Sequence, residues 1–175
     1  MSKRSAPQSL QDFARKQDFA KKFAGYLMKE GEGMFAALKS AISKYHSALS
    51  DQRLEQLRSH CYCFCVVAAD ILLSQKYGED QADRFGIEQY VVYQFEHLAH
   101  LPHDWAAYLD NFIKRYRGKM SLSEAGVIFL TSLSFQLGIE DRINDPSFAS
   151  EFANPVVSFT LSIWDQLDPL SAPGE

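Results

Sequence analysis

The stretch Cys61-Tyr62-Cys63-Phe64-Cys65-Val66-Val67-Ala68-Ala69-Asp70-Ile71-Leu72-Leu73 decides the fold. From Tyr62 it is the most apolar run in the chain, yet it is about a dozen residues long and carries Asp70, whereas a membrane span needs roughly 20 apolar residues. Leu54, Leu57, Cys61, Phe64, Cys65, Ala68, Ile71 and Leu72 recur at the three- and four-residue intervals of one helix face. Ser50 suits the N-cap of that helix and Gly78 its C-terminal stop. The reading is a buried central helix over about 51–77.

Working outward toward the N-terminus, Ser9 with Asp12 three residues on resembles a capping box, with Asp in place of Glu. It predicts a helix to about Lys29, stopped by Gly31 and Gly33, then a second helix over about 34–49. The hexads Gln11–Lys16 and Gln17–Lys22 repeat nearly residue for residue. Six residues turn a helix by 600°, so Phe13 and Phe19 stand about 120° from alignment, while Phe19, Phe23 and Tyr26 share a face.

Toward the C-terminus, Asp80 or Asp83 can cap a helix reaching His100. Pro102 suits the first turn of the next, which ends at Gly118. Ser121 with Glu124 is a full capping box for a helix over about 122–137, closed by Gly138. Asp145-Pro146 and Asn154-Pro155 each place an N-cap before a proline at the first helical position, predicting two more starts. No stretch alternates with period two between Asn-Gly or Asp-Gly turns, so a sheet has no support. The expected fold is all-α: a compact single-domain bundle of about seven to eight helices spanning 9–168, with disordered tails at 1–8 and 169–175.

Composition fits this. In 175 residues, 46% hydrophobic and 23% charged, one ordinary domain has enough apolar mass for a core without staples. Thirteen Phe make that core bulky. Nothing after Lys3 and Arg4 resembles the apolar segment and cleavage site of a secretory signal. Cys61, Cys63 and Cys65 are too close together to staple distant loops. A cytoplasmic protein with reduced thiols is expected. The net charge of −4 speaks against a dedicated nucleic-acid binder, but it is unevenly spread. Residues 1–60 carry eleven Lys/Arg against six Asp/Glu, and residues 61–175 carry seven against sixteen.

Four places in the chain are candidates for function. Glu96-His97-Leu98-Ala99-His100-Leu101-Pro102-His103-Asp104 holds three of the five histidines, and His97 and His100 can face the same way on a helix. With His103, Glu96 or Asp104 they would make a metal site, although the spacing matches neither HExxH nor the Glu-x-x-His of di-iron bundles. Arg15, Lys16, Lys21 and Lys22 on the first helix and Lys114, Arg115, Tyr116 and Arg117 near Gly118 form two cationic, aromatic surfaces for an acidic protein or for phosphates. Asp70 is the expected buried polar residue, held by a hydrogen bond or ion pair or poised in an interhelical cavity.

His60-Cys61-Tyr62-Cys63-Phe64-Cys65 contains metal-ligating types, but only Cys61 and Cys65 share a helix face. Buried, thiol-bearing hydrophobes account better for the run. Nucleotide loops, serine-hydrolase elbows, kinase signatures and EF-hand loops are absent from the sequence. The functional expectation is a non-enzymatic helical interaction module of regulatory, inhibitor, immunity-like or adaptor type. It needs no cofactor, works off the membrane, and has another protein or a second copy as partner. The alternatives are a metal- or small-molecule-binding helical protein, an enzyme among them, using the histidine corner, and then nucleic-acid binding through the basic patches.

Overall fold

A computed structural model describes residues 6–46, 48–77, 89–95 and 120–166, with side chains from Arg15 onward except that of Tyr77. Four α-helices carry it: α1 (Ala6–Tyr45), α2 (Asp51–Tyr77), α3 (Leu122–Leu137) and α4 (Pro146–Asp165). A 3-10 helix, Glu140–Asn144, joins α3 to α4, and residues 89–95 are helical. No strand occurs among the described residues.

The helices form a ring in which α1 packs on α2 and α4, and α3 packs on α2 and α4. All neighbours run antiparallel. Tyr26 of α1 bonds Ser162 of α4 at 2.7 Å, while Lys44, further along α1, meets Glu151, earlier on α4. Likewise Arg53 of α2 donates to the Leu137 carbonyl at 3.1 Å, while Phe64 stacks on Phe129 at 4.7 Å. The four described α-helices thus run up-down-up-down around one core.

Every residue from Cys61 to Leu73 is buried. By length and composition α2 would pass for a membrane span, but 78% of its apolar stretch lies inside the bundle, where α1, α3 and α4 supply what a bilayer would otherwise provide. Phe64 sits where α2, α3 and α4 meet: its ring stacks on Phe129 and meets Phe159 edge-on at 5.8 Å.

Two expected boundaries do not exist. α1 runs unbroken through Gly31 and Gly33, because its apolar phase is continuous: Ala20, Phe23, Leu27, Met34, Leu38 and Ala41 are all buried at three- or four-residue steps, with Gly31 itself buried on that face. Gly31 is a point of close approach. A Cβ there would lie 2.9 Å from Cδ1 of Tyr62, whereas one on Gly33 would meet nothing within 4 Å. α4 likewise continues through Pro155, and Asn154 does not begin a new helix. Pro155 forfeits the bond to the Glu151 carbonyl, at a cost of about 3 kcal/mol. Phe148, Phe152, Val156, Phe159 and Ile163 form one buried face on both sides of it and offset that cost, at about 1.5–3 kcal/mol each.

The described residues hold four long α-helices, a 3-10 helix and the helical stretch 89–95, and do not confirm the expected count of seven to eight. The 3-10 helix occupies part of the stretch from Gly138 to Asp145 that reads as a plain connection. The expected helix from Asp80 or Asp83 to His100 is described only at 89–95. The expected helix from Pro102 to Gly118, the stop at Gly78 and both tails fall largely or wholly outside the described residues. α1 starts at Ala6, ahead of Ser9.

The other signals act as expected. Ser50 accepts from the Arg53 amide at 3.4 Å. Ser121 and Glu124 make the reciprocal capping box, and its hydrogen bonds hold the Glu124 carboxyl below the usual carboxylate range. Gly138 takes φ +66°, and with the Ile139 amide bonded to the Ser134 carbonyl at 3.0 Å it closes α3 as a Schellman motif. Asp145 caps α4 through the Ser147 amide at 2.9 Å, with Pro146 at the first helical position.

Candidate interaction surface

Among the described residues the interior offers little chemistry. Cys61, Cys63 and Cys65 are free and buried, and burial disfavours every thiolate, pushing the Cys63 thiol up to about 12. Between α2 and α3, His60, Cys63 and Val67 face Ile128, Phe129 and Ser132 across a small, partly open cavity of about 20 Å³, room for about one water. His60 is further engaged through Nδ1 with the Gln56 carbonyl at 2.6 Å. Among the described residues no three His, Cys, Asp or Glu side chains come together as a metal site. Asp70 is buried on α2, and its carbonyl accepts from the Ser74 hydroxyl at 2.6 Å.

Two polar clusters fasten α1 to its neighbours. The Tyr62 hydroxyl donates to Glu32, which also attracts Arg58 Nε at 3.5 Å. The Arg58 guanidinium lies 4.6 Å from the Phe35 ring centre and bonds Glu55 at 3.0 Å. Burial, then the bond to Glu32, holds the Tyr62 phenol well above its ordinary value. The Tyr62 ring also meets Phe95 edge-on at 5.7 Å, tying 89–95 to the bundle. At the other side Glu151 accepts from Lys44 and, at 2.9 Å, from Tyr45, so its carboxyl is held below the usual range. These contacts fix helix register.

The cationic residues of α1 do not gather into one patch. Lys22 pairs with Asp18 at 2.7 Å, Arg15 and Lys21 are exposed, and Lys16 is partly buried with an interaction of its own. Exposed one-turn pairs of this kind contribute little. His97, His100 and His103, with Glu96 and Asp104, and the turn of Lys114, Arg115, Tyr116 and Arg117 lie outside the described residues.

The surface that charge reading passes over is on the opposite half of the chain. α4 has a second apolar stripe: Val157, Leu161 and Trp164, at i, i+4 and i+7, are 49%, 70% and 46% exposed. It is offset by about 100–180° from the buried face, since Val157 follows buried Val156 and Leu161 lies five residues beyond it. On α3, Val127 is 64% exposed. Gly126 backs onto Val156, where a Cβ would lie 3.2 Å from Cγ1, so the next residue on each helix brings Val127 and Val157 to the outside of the same crossing.

α3 and α4 hold no Lys or Arg, and their acids are Glu124, Glu151 and Asp165. The first two are engaged in a cap and in the α1 contact. A side chain that is apolar, exposed and repeated at helical spacing gains by docking and loses by facing water. Chemically the face can bury against another apolar surface. Its signal in the sequence is the excess stripe on α4. Compared with protein-family models, curated proteins and solved structures, the chain finds no match among them.

Proposed function

We propose that this chain is a non-enzymatic helical protein-interaction module of regulatory or adaptor type that docks through the outer face of α3 and α4. The observation that carries the reading is the Val157, Leu161, Trp164 stripe, exposed beside Val127 on two helices that contain no Lys or Arg. Such a face excludes water best when covered by a partner's apolar residues, with aromatics such as Trp164 as the anchoring contacts. The basic α1, with seven Lys/Arg against four Asp/Glu, steers an acidic partner by long-range attraction without itself forming the contact.

A photo-crosslinking residue at position 161, compared with one at exposed Lys39 on α1, tests the reading in living cells. Protein adducts are expected at 161 and not at 39. Equal labelling at the two positions, or none at 161, refutes it.

A further inference from the structure

We propose that the outer α3–α4 face pairs with the same face of a second copy of this chain, forming a two-fold dimer in which α4 lies antiparallel to α4 of the partner. The inference rests on reading this face as the docking surface, and it names the occupant.

The first support is the spacing of the stripe. Along α4, Val157 lies about 6 Å to one side of Leu161 and Trp164 about 4.5 Å to the other. A two-fold axis at Leu161 therefore sets Leu161 against itself, and sets Val157 of each copy near Trp164 of the partner subunit, small against large. An isologous contact requires that self-complementarity, with residue i meeting j and j meeting i.

Charge is the second support. A charge on the two-fold axis meets its own copy, and like charges face to face are penalised. The stripe on α4 is uncharged between Glu151 and Asp165, so no α4 charge falls on an axis at Leu161. With the axis at Leu161 the two Asp165 residues stand at least about 12 Å apart along the helices, beyond the screening length of about 8 Å at physiological ionic strength.

Area is the third. At about 150–250 Å² for a fully exposed large apolar residue, the exposures of Val127, Val157, Leu161 and Trp164 amount to roughly 450 Å² per copy. A standard interface buries about 800 Å² per partner, of which about 56–65% is non-polar, or roughly 450–520 Å². The face supplies the apolar part of one such interface.

Sedimentation velocity on the purified full chain, from about 1 to 200 µM, reads the outcome directly, with a dimer dissociating at or below about 10 µM expected. Leu161→Asp should weaken it at least about 30-fold, since it brings two unpaired carboxylates together on the axis. Far-UV circular dichroism confirms that this exposed substitution leaves the helices intact. In a second arm, a short bismaleimide should join Leu161→Cys chains to one another and leave Lys39→Cys chains apart, the native thiols being buried.

A monomer at about 200 µM overturns the inference, as does a dimer that Leu161→Asp leaves intact. Neither result decides the docking reading. That reading stands on the crosslinks formed at position 161 in cells, and adducts there to another protein alone would keep it while removing the second copy.

Discussion

Replacing single glycines of α1 by alanine gives three results that differ in sign. In an exposed helix interior Gly→Ala gains about 1 kcal/mol, because alanine loses less backbone freedom on folding. A Cβ added at Gly25 or Gly33 would have nothing within 4 Å, so each substitution should stabilise the protein by about 0.5–1 kcal/mol, raising Tm by roughly 1–4 °C for a chain of this size. At Gly31 the same methyl would stand 2.9 Å from Cδ1 and 3.1 Å from Cε1 of Tyr62. The ring cannot swing aside freely, since its hydroxyl is bonded to Glu32 and its edge contacts Phe95. Overpacking costs about 1–3 kcal/mol, which outweighs the propensity gain and leaves a net loss of up to about 2 kcal/mol. Thermal and urea unfolding of the three variants should therefore rank Gly33→Ala and Gly25→Ala above the parent and Gly31→Ala below it. If Gly33 instead ended one helix in the left-handed conformation, Gly33→Ala would destabilise. If α1 did not press on Tyr62, Gly31→Ala would stabilise like its neighbours. Either result refutes a continuous α1 closely packed on α2.

Phe64→Ala removes the ring shared by α2, α3 and α4 and should cost about 3–5 kcal/mol in urea unfolding, lowering Tm by on the order of 10 °C; a loss under about 1 kcal/mol contradicts that junction. Ellman's reagent should find almost no reactive thiol in the native protein and all three in denaturant, and rapid reaction of even one native thiol would place it at the surface. Tyr62 and Tyr26, chiefly through burial, and Tyr45, chiefly through its bond to Glu151, hold phenol protons above the ordinary value near 10. Their folded values exceed the unfolded ones, so the stability they confer is fully present below about pH 10 and is lost as pH rises beyond it. Phenolate absorbance should thus lag in the folded protein relative to the denatured chain, and superimposable titrations would disprove the Tyr62–Glu32 bond.

Features legible in the sequence are those whose cause is local. The Ser121–Glu124 box, the Asp145-Pro146 start and the Gly138 stop each satisfy backbone groups within three to five residues, so the residues that cause them sit side by side in the chain. Gly31 and Pro155 carry the same chemical vocabulary but answer to distant partners. Gly31 is small because Tyr62, thirty-one positions later, lies against it, and Pro155 is carried by the buried face that runs from Phe148 to Ile163. The unbroken apolar phase on both sides of each residue was the stronger signal, since burial along a long face outweighs one unfavourable backbone position.

The same distinction explains why the basic residues draw attention and the apolar face does not. Lys and Arg are conspicuous one at a time, yet on α1 they are spread around exposed positions and Lys22 is paired within its own turn. An exposed apolar stripe becomes visible only when the stripes on a helix are counted against its neighbours. In a four-membered ring α4 has α1 and α3 beside it and the core before it, and Phe148, Phe152, Val156, Phe159 and Ile163 already satisfy that side. Val157, Leu161 and Trp164 form a second stripe for which the ring has no further helix among the described residues. Such a stripe has a cost in water, on a helix where Ser or Lys would serve solubility better, and the proposed docking contact beyond the single bundle would remove that cost.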